Sequence, residues 1–170
     1  MGYIFKKAEV SDVEKLDEIH QSWEYYVEIH GIKLEKNHFY HSITEGDKPP
    51  VEGASKDNFH IFMIYQENDL VGFIEMYAGY PNSDDLWISL FEIEKSKRRF
   101  GHGNKIILQL ENEISRYNCR NLALAVDLKN FRGMKFWTKV GFKEIIGVHG
   151  DDAYGKDKFA SISLRKRILS

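Results

Sequence analysis

The chain has 170 residues, 24 Lys and Arg against 26 Asp and Glu, and a net charge of −2, which fits one compact domain over 1–170 and excludes nucleic acid as the main partner. Hydrophobic residues make up 42% and charged residues 29%, as in an ordinary soluble globular protein. Cys119 is the only cysteine, so no internal disulfide can form. No run has signal-peptide or membrane-spanning character, and the expectation is a cytoplasmic protein without membrane contact.

In chain order, Tyr3 to Ala8 reads as a first strand. Ser11-Asp12-Val13-Glu14 has capping-box form and opens a helix with Val13, Leu16, Ile19, Trp23 and Val27 on one face. A second helical stretch covers Leu34 to Ile43, and Glu45 to Asn58, with Pro49-Pro50, is a loop. His60 to Tyr65 and Leu70 to Tyr77 form a hairpin across Gln66-Glu67-Asn68-Asp69. Leu86 to Ile93 is the longest strand candidate, followed by the basic glycine turn Lys97-Arg98-Arg99-Phe100-Gly101-His102-Gly103. A helix with Ile106, Ile107, Leu110 and Ile114 on one face comes next, then a buried-type strand at Leu122 to Val126. Phe131 to Val140 is helical and stops at Gly141; Phe142 to Val148 and Lys158 to Arg165 are closing strands. This order of strands and helices predicts an α/β protein of mixed α+β character, one central sheet with helices on both faces.

The glycine turn carries the most chemistry. Gly101 and Gly103 let the backbone bend and approach a ligand, and the helix that follows has unpaired amides and a positive dipole end. With Lys97, Arg98, Arg99 and Lys105 around it, the turn suits a pyrophosphate; a plain strand-to-helix connection is the competing reading. The spacing is neither a Rossmann fingerprint nor a P-loop.

Arg98-Arg99-Phe100-Gly101-His102-Gly103 matches the Arg/Gln-x-x-Gly-x-Gly/Ala motif of the GNAT superfamily, and Asn130-Phe131-Arg132-Gly133-Met134-Lys135-Phe136-Trp137 to Phe142 resembles that family's second block, Asn-x-x-Ala-x-x-Phe-Tyr-x-x-x-Gly-Phe. The resemblance is specific over residues 86–144. It implies a mixed, mostly antiparallel sheet of about seven strands with strands four and five splayed. It further implies an acetyl-CoA-dependent N-acetyltransferase, acting on a primary amine by direct attack in a ternary complex, with no metal. On this resemblance Phe91 and Ile93 pair with the pantetheine arm through their backbones, and Arg98, Arg99, Phe100, Gly101, His102, Gly103 and Asn104 surround the pyrophosphate. Asn130 contacts the pantetheine arm, although its residue type equally suits an N-cap, and Trp137 stands beside the cofactor. The alternative is a non-catalytic acyl-CoA-binding module of the same fold.

For catalysis, the resemblance makes the Ile93 N–H the oxyanion donor and a glutamate or a water the base; Glu92 and Glu75 are the candidates. The family's acid, a tyrosine in the second block, is replaced by Trp137, whose indole only donates. Tyr154 is the nearest candidate acid, and departure of the thiolate unaided is the favoured reading. His20, His30, His38, His41 and His60 crowd the N-terminal part and are read as surface or substrate-cleft residues, not as a zinc site. Acidic and aromatic residues such as Trp23, Tyr25, Tyr26, Asp47 and Asp151 suit a small cationic amine, with a protein amine as the other substrate class. An aromatic-rich edge is compatible with a homodimer.

Overall fold

The computed structural model describes residues 2–168; Met1, Leu169 and Ser170, the ends of the expected 1–170 domain, lie outside the described residues. Seven strands, β1 (Ile4–Lys7), β2 (Phe59–Gln66), β3 (Asp69–Ala78), β4 (Asp85–Ile93), β5 (Asn121–Asp127), β6 (Glu144–Gly150) and β7 (Ala160–Arg167), form one sheet in the order β1-β2-β3-β4-β5-β7-β6. All neighbours are antiparallel except β4 and β5. The helices are α1 (Val13–Gln21), α2 (Tyr26–His30), α3 (His38–Glu45), α4 (His102–Glu113) and α5 (Phe131–Lys139).

Each face of the sheet has its own apolar layer. Leu16 and Ile19 of α1 and Phe39 of α3 pack on Ile61, Met63, Phe73 and Tyr77. Ile106, Ile107 and Leu110 of α4 pack on the other face, against Ile64, Ile74, Met76 and Ile88, with Phe136 and Trp137 of α5 at its margin. The sheet is thus covered on both sides, as the element order predicts.

Two departures shape the site. β4 and β5 pair only from Asp85 to Ile88 against Asn121 to Leu124, so the remainder of the two strands diverges. β4 also contains a bulge: Glu75 lies opposite Leu90 but Met76 lies opposite Ile88, which leaves Ser89 as the extra residue. One inserted residue moves every later side chain to the opposite face. Leu86 and Ile88 therefore face α4, whereas Leu90 and Glu92 face α1.

The N-terminal helices differ from expectation. The capping box is Glu9 with Asp12 rather than Ser11 with Glu14: Asp12 accepts the Glu9 N–H at 3.0 Å across a short 3-10 turn. The apolar stripe does not run on to Val27. The Ser22 hydroxyl donates to the Ile19 carbonyl at 2.5 Å, a local bond that competes with the helix. α1 therefore ends at Gln21, α2 starts afresh at Tyr26, and Val27 is exposed. The next helix begins at His38 rather than Leu34.

Candidate functional site

The glycine turn opens α4 beside the end of β4. Gly101 takes φ 84° and Arg99 φ 72°, so the chain turns through two left-handed residues before the helix. The first helical bond runs from Lys105 N–H to Gly101 C=O at 3.3 Å, leaving the His102, Gly103 and Asn104 amides without a helical acceptor. Gly103 lines the cavity at this turn, and a Cβ there would come 3.1 Å from the Phe136 ring, so its missing side chain also lets α4 sit against α5.

A cavity of about 370 Å³ lies at this turn, walled by Phe91, Ile93, Phe136 and Val140 and rimmed by Lys97, Arg98, Arg99 and Lys139. Lys97 is paired with Asp69 at 2.9 Å. Arg98 is largely spoken for: its guanidinium donates to Ile93 C=O at 2.8 Å and to Ser22 Oγ at 2.6 Å, tying the end of α1 to β4. Arg99 and Lys139 form no ion pair among the described residues, so the rim carries a positive charge suited to phosphate. His102, unexplained by sequence, meets the Tyr3 hydroxyl at 2.8 Å and fixes the turn to the first strand.

The backbone of β4 faces the gap between the splayed strands. Glu94 N–H donates to Val71 C=O at 2.8 Å, which makes Gly72 and Ile93 a non-hydrogen-bonded pair of the antiparallel ladder. The Ile93 N–H and C=O then point away from β3, and those of Phe91, two residues earlier, do the same. No β5 residue pairs with either. Asn130, at the end of β5, is buried and caps α5 by accepting the Gly133 N–H at 2.8 Å. Trp137 packs on Phe136, Phe142 and Phe91 with ring centroids 4.7, 5.1 and 5.9 Å away. Phe100 is exposed, and Tyr154 is fully exposed in the loop between β6 and β7.

On the opposite face of the sheet, Glu92 is 4% exposed and its Oε1 meets His20 Nδ1 at 2.7 Å. Glu75 is completely buried, and His38 Nε2 approaches it at 3.4 Å. Burial pushes the Glu75 carboxyl above its ordinary pKa. Burial alone would lower His38, but the Glu75 carboxylate, with the charges of Asp47 and Glu35, more than offsets this and leaves it raised. His38, Asp47 and Glu75 offer ligand atoms within 4.8 Å of one another.

A further run of side chains crosses the gap. His20 contacts Tyr26 edge-on at 4.5 Å, Tyr26 lies over His30 at 4.3 Å, and His30 Nδ1 pairs with Asp127 at the end of β5. Burial, with the charges of Glu92, Asp127 and Glu75, pushes the Tyr26 hydroxyl up to about 12. Sequence reading noticed these histidines and aromatics but not their partners. Glu92 and Asp127 lie far along the chain from His20 and His30, and no local pattern announces such pairs.

A second cavity, of about 400 Å³, opens over this face between α1, α2 and the start of α3, with His20, Trp23, Tyr26 and His38 in its wall. Among the described residues, no helix is long and apolar enough to cross a membrane.

The profile of the acetyltransferase (GNAT) family matches residues 16–142. No curated protein matches the chain. Solved structures do. An acetyltransferase from Thermus thermophilus has 16% identity and a TM-score of 0.72, with 98% of this chain and 97% of that one covered. The ribosomal-protein-S18-alanine N-acetyltransferase from Escherichia coli has 15% identity and a TM-score of 0.69, covering 99% and 95%. A Bacillus subtilis acetyltransferase in complex with CoA has 10% identity and a TM-score of 0.63, covering 99% of each chain. At these identities the likeness is one of fold.

Proposed function

The chain belongs to the acetyltransferase (GNAT) family, and from that premise we propose that it transfers an acetyl group from acetyl-CoA to the primary amine of a small cationic acceptor. The observation that carries this reading is the gap between β4 and β5. It begins at the unpaired amides of the glycine turn, is edged by the Phe91 backbone and the Ile93 N–H, and is overlooked from the other face by Glu92 and His20.

Acetyl-CoA occupies the gap with its pyrophosphate on the amides from Arg99 to Asn104 and its pantetheine arm along β4, bonded as a further strand would be. Phe136 and Val140 cover the arm. The amine attacks the thioester carbonyl, and the Ile93 N–H, aimed into the gap, receives the charge that develops on oxygen. Glu92 acts through His20: its carboxylate holds Nδ1 and so leaves the other ring nitrogen to take the proton. The C–N bond forms as the C–S bond breaks. The thiolate is protonated from solvent, since Trp137 is no acid and Tyr154 stands fully exposed on an outer loop.

The test is release of free thiol from acetyl-CoA in the presence of an amine panel. Amine-dependent release, with an acetylated product of the expected mass, is the predicted result. Tight acetyl-CoA binding with no amine accelerating thiol release would instead make the chain a binding module.

A further inference from the structure

Among the described residues, four buried side-chain polar atoms lack a hydrogen-bond partner: Glu75 Oε1 and Oε2, Glu92 Oε2 and His30 Nε2. Three are carboxylate oxygens, and both acids stand on the same face of neighbouring strands. Glu75 lies opposite Leu90, two residues from Glu92, a diagonal relation that spaces strand positions by about 7–8 Å. Buried carboxylate oxygens without a donor are costly enough that folds rarely keep three on two neighbouring acids.

Each acid is backed against a histidine in the wall of the 400 Å³ cavity. The histidines use only one ring nitrogen within the protein: His20 bonds through Nδ1, and His38 meets Glu75 and Ser42 through Nε2. The other nitrogens, His20 Nε2 and His38 Nδ1, are not sealed off in the way that His30 Nε2 is. With neutral imidazoles, the two pairs present two negative charges to one cavity. The rim does not cancel them, because Lys33 and Lys36 are matched by Asp17 and Glu35. Asp47 adds a third carboxylate close to Glu75, and the rings of Trp23 and Tyr26 supply faces suited to a cation.

We propose that this cavity binds an acceptor with two amino groups, a small α,ω-diamine, one nitrogen at the His20–Glu92 pair and the other at the His38–Glu75 pair beside Asp47. This deepens the acyltransferase reading and rests on it for the catalytic role only. The nitrogen at His20 is the one acetylated, because Glu92 is on β4 beside the gap. It enters as an ammonium, gives one proton to His20 and loses a second as the amide forms; the departing thiolate takes up one, so one proton is released overall. The nitrogen at His38 keeps its charge and only anchors the molecule.

The experiment is calorimetric titration of the intact protein with diaminoalkanes from diaminopropane to diaminohexane and with the alkylamines of matching length. The best diamine should bind at least tenfold more tightly than its matched monoamine. Glu75→Gln should bring that ratio close to one while acetyl-CoA affinity is retained. Asp47→Asn, in an exposed loop and safe for folding, should lower it several-fold. Equal binding of diamines and monoamines to the wild type overturns the proposal. So does a chelator-treated protein in which zinc or magnesium binds through Glu75 and no diamine competes with it, since the acids would then be metal ligands. If diamines bind as described but neither they nor any other amine is acetylated, the acyltransferase reading fails and this site stands. If other amines are acetylated and diamines have no advantage, the site fails and the acyltransferase reading stands.

Discussion

At the start of β4, Asp85 is completely buried and receives hydrogen bonds from Asn82, Asn121 and Arg165, the last through two nitrogens at 3.1 and 2.8 Å. On the neighbouring strand Glu75 is just as buried and receives none. Burial alone would raise both carboxyls; the Arg165, Asn82 and Asn121 bonds reverse this for Asp85 and hold it below its ordinary value, whereas Glu75 is left raised. The difference follows the sheet. Asp85 sits where β4 and β5 are paired and β7 reaches across with Arg165. Glu75 and Glu92 sit beyond the bulge at Ser89, where β4 leaves β5. One end of the strand pair is closed and satisfied; the other is held open, at a cost in stability of the kind expected where a protein keeps room for a ligand.

The largest effect should come from breaking the satisfied end. Asp85→Ala leaves the partly buried Arg165 guanidinium with Glu144 alone and the Asn82 and Asn121 amides without their acceptor, and should cost about 3 kcal/mol, read as a fall in the thermal midpoint. At the open end the same kind of change should have the opposite sign. Glu75 and His38 both have native pKa values above their ordinary 4.5 and 6.5. The folded state therefore holds more protons than the unfolded one, and stability is full below about 4.5 and declines as pH rises. Glu75→Gln removes the acid and the partner that raises His38. It should melt about 2–4 °C higher than wild type near pH 8, a shift worth about 1 kcal/mol in a chain of this size, and the difference should vanish in acid. A Glu75→Gln protein less stable than wild type at every pH would show the acid to be satisfied after all. The smallest effect on chemistry belongs to Trp137, which packs among Phe91, Phe136 and Phe142. Trp137→Phe should lose some packing stability yet keep turnover within a few-fold. A loss of about a hundredfold, with folding and acetyl-CoA binding intact, would give the indole N–H a direct catalytic part.

The elements that sequence revealed are those whose signals are local. The hairpin at Glu67-Asn68, the helix after Gly101 and the stop at Gly141 rest on periodicity and glycine chemistry, and all three stand in the structure. The motif around Arg98 to Gly103 placed the turn for the same reason. What stayed hidden depends on residues far apart. Residues 86–93 read as one strand, and only the register with β3 exposes Ser89 as an insertion that turns Glu92 towards α1. The same distance concealed the Glu92–His20 and Asp127–His30 pairs, and the Tyr3–His102 contact that explains an unusual residue in the turn. The packing of Gly103 against Phe136 was hidden for the same reason, because the ring belongs to another helix.

On the proposed function, the open end of the β4–β5 pair holds acetyl-CoA with its pyrophosphate on the first turn of α4. Asn104 stands third in that helix and lines the cavity. Asn104→Asp preserves the side-chain shape and adds a negative charge that a helix N-terminus welcomes by about 0.3–1 kcal/mol, so the variant should be no less stable than wild type. Calorimetric titration with acetyl-CoA should nonetheless show its affinity reduced at least tenfold, about 1.4 kcal/mol, because the new charge faces the phosphates. A stable Asn104→Asp protein that binds acetyl-CoA as tightly as wild type would contradict the account.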